Sequence, residues 1–327
     1  MASLGQAAQT FAKTLDRNGG GQDVVLGAIP TEGFLWCHIQ WDDESGVAWL
    51  RNQSGLHSDI VEALLAPDTR PRCTVHKTEN GNGVFINLRG VNLNDGADPE
   101  DMISIRIWVE SDRVISVWKR RLRAVADIVE GIERGQGPLS PDDLIAKLAL
   151  RLADRAEPIV ATLNETVDRM EEDILSDIPG REFRAELADL RRTAIVLRRF
   201  MFPQRDALST LAIEDLEWLS ERGRTRLLEA TDRITRLSEE LDAIRDRAGV
   251  VQDQVVEARG EAMNRSMLIL SVVAAIFLPL GLLTGLLGIN VGGIPGENTS
   301  WAFWAVCMLL AITTAFQLWL YRKLRLI

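Results

Sequence analysis

The stretch MLILSVVAAIFLPLGLLTGLL, Met267 to Leu287, decides how the rest of the chain is read. It carries no charged residue over about 21 positions, enough for one helix to cross a hydrocarbon core roughly 30 Å thick. A second uncharged stretch, WAFWAVCMLLAITTAFQLWL from Trp301 to Leu320, follows after a connection of about a dozen residues, with tryptophans near both ends where aromatic rings settle at the membrane interface. So short a connection makes the two spans a hairpin, and both flanks then lie on one side of the bilayer. Arg259 and Arg265 precede the first span, Arg322, Lys323 and Arg325 follow the second, and Glu297 is the only charge between them. The positive-inside rule predicts a cytoplasmic-membrane protein with both termini in the cytosol.

Upstream of the first span the chain has no proline between Gln204 and Pro279, which predicts a single helix of roughly 75 residues. Apolar residues recur at Leu227, Ala230, Ile234, Leu237, Leu241, Ile244, Ala248, Val251, Val255, Ala258 and Ala262, with steps alternating three and four. That is a heptad seam, the mark of helices packed along their length. A second stripe runs through Asp253, Glu257, Gly260, Asn264, Met267, Ser271, Ala274, Leu278, Gly281 and Gly285 on the other face, since Asn264 lies about 200° around the helix from Ala262. It is polar below the membrane and apolar or small within it. A two-span hairpin cannot enclose an aqueous path, so conduction would require a symmetric ring of chains. The second stripe is expected to line such a pore, with Asp253 and Glu257 in a vestibule and Met267 and Leu278 as constrictions that gate by dewetting. Gly281, Gly285 and Gly288 equally suit close helix packing.

Between Val24 and Trp118 the pattern is β-like, with FLWCHIQW (Phe34–Trp41), GVFINLRGVNL (Gly83–Leu93) and a hairpin over Ile103–Trp118 that turns at Glu110-Ser111-Asp112. Helical stretches at Val47–Asn52 and Ser58–Leu65 lie among the strands. After Arg120 the chain reads as charged helix to Pro203, broken at Gly135–Pro141 and Ile178–Gly180, with Ser140-Pro141-Asp142-Asp143 as a helix start. The expected architecture is an α+β cytosolic domain with a helical layer (1–203), a long stalk helix (204–266), two spans (267–288 and 301–320) joined by an external loop (289–300), and a basic cytosolic tail (321–327).

The chain has 327 residues and a formal net charge of −10, with both signs mixed, which argues against nucleic acid as a partner because phosphate binding needs a concentrated basic surface. Three cysteines, Cys37, Cys73 and Cys307, make no disulfide framework, and the first residues contain no basic stretch leading into an apolar core, so the bulk of the chain is expected in the cytosol. His38, His57 and His76 invite a zinc reading beside Cys37 and Cys73. Neighbours and third neighbours on a strand point to opposite faces, however, so neither Cys37-His38 nor Cys73-x-x-His76 chelates easily. With no phosphate-cradling glycine loop, no H-E-x-x-H pair and no nucleophile constellation, no enzyme and no cofactor are expected.

The first span ends in LPLGLLTGLLGIN, Leu278 to Asn290, followed by VGGIPG. Here the chain resembles the CorA superfamily of divalent cation transporters, whose hallmark is Gly-Met-Asn at the external end of the first of two C-terminal spans; this sequence has Gly288-Ile289-Asn290. That variant, with GGIPG after it, looks like the zinc-associated ZntB branch, and NLRGVNLNDGADPEDMISIRIWV, Asn87 to Val109, is similar to the cytosolic domain of that branch. The resemblance implies a funnel-shaped homopentamer in the bilayer, with the first span lining the pore and the second outside it. Ile289 in place of methionine sets simple carry-over of magnesium selectivity aside and favours zinc as the transported ion. The alternatives are a magnesium or cobalt channel of the CorA type and, in another class, a membrane-anchored coiled-coil scaffold. A ring of Asn290 carboxamides suits a cation bound through its hydration shell, because such oxygens hold it weakly enough to release it; Asn290 is also a natural helix C-cap. Glu297, repeated around the ring, would concentrate cations at the mouth.

Overall fold

The structure, a computed structural model, describes residues 9–30, 32–67, 70–78, 81–176, 180–289 and 299–323. They fall into two compact units, Met1–Gln252 and Asp253–Ile327.

The first unit is built on a seven-stranded sheet in the order β2-β1-β3-β7-β6-β5-β4, where β1 is Phe11–Leu15, β2 Gly21–Val24, β3 Phe34–Gln40, β4 Arg72–Thr78, β5 Gly81–Gly90, β6 Ile103–Val109 and β7 Arg113–Trp118. Every pairing is antiparallel except β3 with β7, where Trp36 lies opposite Val114. Alternation along the strands divides the core in two. Phe34, Trp36, Ile86, Leu88, Ile105 and Ile107 face one cluster, and Leu35, Cys37, Ile39, Phe85, Trp108 and Ile115 face the other.

Helices α1 (Glu44–Asn52) and α2 (Ser58–Leu65) cover the second face through Trp49, Leu50, Ile60, Val61 and Leu64. Asp43 caps α1 by accepting from the Ser45 N–H. The first face is covered by α3 (Arg123–Glu133), α4 (Pro141–Ser176) and α5 (Arg181–Ile213). The result is an α+β domain with helices on both sides of a mainly antiparallel sheet. Of the break expected at Ile178–Gly180, Ile178 and Pro179 lie outside the described residues.

Three strands and one boundary depart from the sequence reading: β1 lies before Val24, β2 ends at it, and β4 falls where the sequence reading names no strand. The long helix, α6, runs over Glu221–Leu287 rather than from Gln204, because Pro203 sits inside α5 and the chain breaks only after Ile213. The break is held by tertiary contacts: Leu216 and Leu219 are buried, Trp218 Nε1 donates to the Asn82 carbonyl at 2.9 Å, and Arg224 caps the end of α5 by donating to the carbonyls of Ala212 and Glu214. Ser220 then opens α6, its Oγ accepting from Gly223 N–H at 3.0 Å, while its own N–H donates to Asp142 Oδ2 at 3.0 Å. A Cβ on Gly223 would lie 2.1 Å from that carboxylate oxygen, so the close approach requires glycine. The first unit therefore extends through the start of α6 to Gln252, beyond the boundary expected at residue 203.

Along that start, the seam from Leu227 to Val251 is buried in the same core as α4 and α5. Ion pairs flank it: Arg226 with Asp143, Arg233 with Asp154 at 2.6 Å, and Arg198 with Asp242 at 2.5 Å. Arg247 meets Asp168 and Glu171, and its hydrogen bond holds the Glu171 carboxyl below the usual range. The heptad seam is thus an intrachain helical bundle in this part.

The second unit contains the rest of α6 and α7 (Ala302–Lys323).

Candidate functional site

The two C-terminal helices are each long and apolar enough to cross a membrane, and the most apolar window of α6 has no buried residue. Exposed apolar side chains line it: Leu270 is 71% exposed, Phe277 67% and Leu282 68%. A contiguous apolar surface of this kind belongs in lipid or against protein. At the far end of α7, Lys323 Nζ lies 5.1 Å from the centre of the Trp319 ring, a cation over an aromatic face of the sort that anchors a helix end at the interface.

Within the second unit the helices meet along one face each. Val272, Ile276, Pro279, Leu280 and Leu283 of α6 are half-buried, as are Val306, Leu310, Thr313 and Thr314 of α7, and Gln317 is buried. Gln317 Nε2 is 3.5 Å from the Ala275 carbonyl. The stripe singled out by the sequence lies on the other side of α6: Ala274 and Leu278 are each two residues, about 200°, from a half-buried position. Asp253, Glu257, Asn264, Met267, Ser271, Ala274, Leu278, Gly281 and Gly285 are all exposed, and Gly260 is half-buried. A Cβ built on Gly281 or Gly285 meets nothing within 4 Å, so neither glycine serves close packing within the chain.

The helix ends at Leu287, and the Gly288 N–H reaches back to the carbonyls of Thr284 (2.9 Å) and Gly285 (3.2 Å). A helix C-terminus carries partial negative charge on its unsatisfied carbonyls, the sign that favours a cation. Ile289, beside this end, is exposed. Asn290 and Glu297, the residues expected at the mouth, lie outside the described residues.

The cysteines and histidines of the first unit are separated. Cys37 lies in the cluster of the second sheet face, whereas His38 packs with Phe11, Trp36 and Trp118 on the first. Cys73 packs against the first cluster, while His76 lies 5.7 Å from Trp108, a member of the second. Burial pushes the Cys37 thiol up to about 11 and, with Glu214 adding to it, the Cys73 thiol up to about 12, while burial alone draws His38 down to about 3. Thiols in that state are poor zinc ligands at neutral pH. Among the described residues no group of three or more His, Cys, Asp or Glu side chains is placed to hold a metal ion.

Residues 31–323 match the family described as CorA-like Mg2+ transporter protein. The chain belongs to the CorA family. Among similar CorA-family proteins is a divalent cation transporter, CmaX, of Pseudomonas aeruginosa, 39% identical over 96% of each chain. The zinc transport proteins ZntB of Yersinia enterocolitica and Pectobacterium carotovorum are 32% and 34% identical, covering 94% and 93% of this chain and 93% and 90% of theirs. The solved structure of full-length CmaX superposes with a TM-score of 0.82 at 38% identity, covering 97% of this chain and 98% of that one. The CorA magnesium transporter of Methanocaldococcus jannaschii gives the same TM-score, 0.82, at 16% identity, which speaks to the fold alone. This CorA-family chain is a divalent cation transporter, not an enzyme.

Proposed function

We propose that the protein carries zinc across the cytoplasmic membrane through a pore at the centre of a homopentamer, lined by the membrane part of α6. The observation that carries this reading is the exposed stripe from Asp253 to Gly285, turned away from the face that α6 shares with α7. A ring built on that stripe places carboxylates, then small and apolar side chains, then a helix C-terminus along one path. Cations would be drawn to the mouth by the negative helix ends and Glu297 and held through water by Asn290. Leu278, 72% exposed on a single chain, would form the narrow apolar ring. Both termini would lie in the cytosol, a placement supported by the distribution of Arg and Lys around the spans.

Zinc is favoured by Ile289 in the signature and by the length over which the chain matches proteins named for zinc transport. A magnesium or cobalt channel is the second reading, and the description of the family names the first of these ions. Reconstitution in liposomes holding a zinc-sensitive dye separates them. Zinc should enter through the wild type and not through Asn290→Ala, and an imposed pH gradient tells coupled transport from passive flow. Entry of magnesium or cobalt without zinc would shift the reading to the second cargo.

A further inference from the structure

Pro279 leaves a defined gap in the hydrogen bonding of α6. A residue inside an α-helix donates its N–H to the carbonyl four positions back, and proline has no N–H, so the Ala275 carbonyl loses its helical donor. In hydrocarbon there is no water to replace it, and a carbonyl released by proline must be met by another protein group. Gln317 of α7 reaches that atom: its Nε2 is 3.5 Å from Ala275 O, and the residue is 9% exposed. A carbonyl only accepts, so the nitrogen end of the amide faces it. The other end, Oε1, is buried with no hydrogen-bond partner among the described residues. An amide left half-satisfied in such a place is unfavourable unless the bond it does make is needed.

We propose that Gln317 is a positioning residue for conduction: its amide stands in for the N–H that Pro279 lacks and ties the first span to the second at the level of the proline. Leu278, adjacent to Pro279 and on the exposed side, is thereby held back from the axis of the ring. This rests on the reading of α6 as the pore-lining helix. The tie itself does not, since it is a contact within one chain. Thr313 and Thr314 are no substitute, because their hydroxyls donate to the carbonyls of Leu309 and Leu310 in their own helix.

A double-mutant cycle tests it on the purified full-length protein, read by thermal unfolding in detergent and by zinc entry into liposomes. Pro279→Ala returns a backbone N–H to the Ala275 carbonyl and makes the amide redundant. With Pro279 in place, Gln317→Met, which keeps length and removes the donor, is expected to lower the unfolding temperature and to slow zinc entry about threefold, the effect of one membrane hydrogen bond of ordinary strength. In the Pro279→Ala background the same substitution should change neither reading. If Gln317→Met fails to assemble, Gln317→Asn, one methylene too short to reach, replaces it with the same expectation. Equal effects in both backgrounds, or an unchanged unfolding temperature with Pro279 present, overturn the tie. Coupled unfolding in a protein that passes no cation would keep the tie and remove the transport reading; uncoupled unfolding in a protein that passes zinc would do the reverse.

Discussion

His38 lies in the middle of the sheet at 2% exposure, its ring stacked on Trp118 with centroids 5.6 Å apart and its Nδ1 2.7 Å from Ser116 Oγ. The same hydroxyl accepts from Trp36 Nε1 at 2.9 Å. Burial among aromatic rings draws the imidazole from 6.5 down to about 3, so the native state keeps it neutral where an unfolded chain would take up a proton. The sign follows from linkage. The stability associated with this group is complete above about pH 6.5 and declines by about 1.4 kcal/mol per pH unit as the medium is acidified toward pH 3. His38→Phe keeps an aromatic ring in the cluster and removes the titration. Its unfolding temperature should fall less steeply between pH 7 and pH 5 than that of the wild type, and parallel curves would show that another group governs the acid limb.

At the scale of the element, α6 is one helix with two kinds of surface. Leu241 is fully buried against the bundle, whereas Leu278 is 72% exposed on a single chain. Leu241→Ala should therefore cost about 2–5 kcal/mol of stability, as large-to-small changes in a packed core do. Leu278→Ala should leave the unfolding temperature of the first unit alone and speed cation entry by widening the apolar ring; a slower flux would remove Leu278 from the constriction. This division was legible in the sequence because seam and stripe both repeat by sevens over many turns. The hairpin at Glu110-Ser111-Asp112 and the strands from Phe34 and Gly83 were legible for a similar reason, their alternation being local. β1 and β2 were not, since short strands with Lys13, Gln22 and Asp23 on them acquire their meaning from partners elsewhere in the sheet. Nor was the start of α6. Proline does not end a helix that tertiary packing holds on both sides of it, as happens at half-buried Pro203 in α5, and the true break is fixed by Trp218 and Asp142, whose partners are 136 and 78 residues away. Of the site, the stripe could be read, while the pairing of Gln317 with the Ala275 carbonyl required α7 to be placed; a carboxamide inside an apolar run was its only trace.

For the whole molecule the acidic balance becomes informative. A net charge of −10 on each chain would oppose crowding several chains around an axis unless packing between the chains outweighs it, and Gly281 and Gly285, open on a single chain, let neighbouring helices approach closely. Native mass measurement should then find five chains of 36.4 kDa, and single chains in a preparation that conducts would overturn the ring. Around such an axis Asp253 and Glu257, both exposed and one turn apart on the stripe, would repeat in two tiers on the N-terminal side of the membrane part of α6. Carboxylates in a confined space raise the local cation concentration, and the effect weakens as salt shortens the Debye length to about 10 Å at 0.1 M and about 3 Å at 1 M. The double substitution Asp253→Asn with Glu257→Gln keeps shape and removes charge. It is expected to slow zinc flux several-fold at low ionic strength and to approach the wild type as salt rises, because the term it deletes is the one that salt screens. A loss of equal size at every salt concentration would mean that these side chains touch the ion directly, and no loss at low salt would place them outside the path altogether.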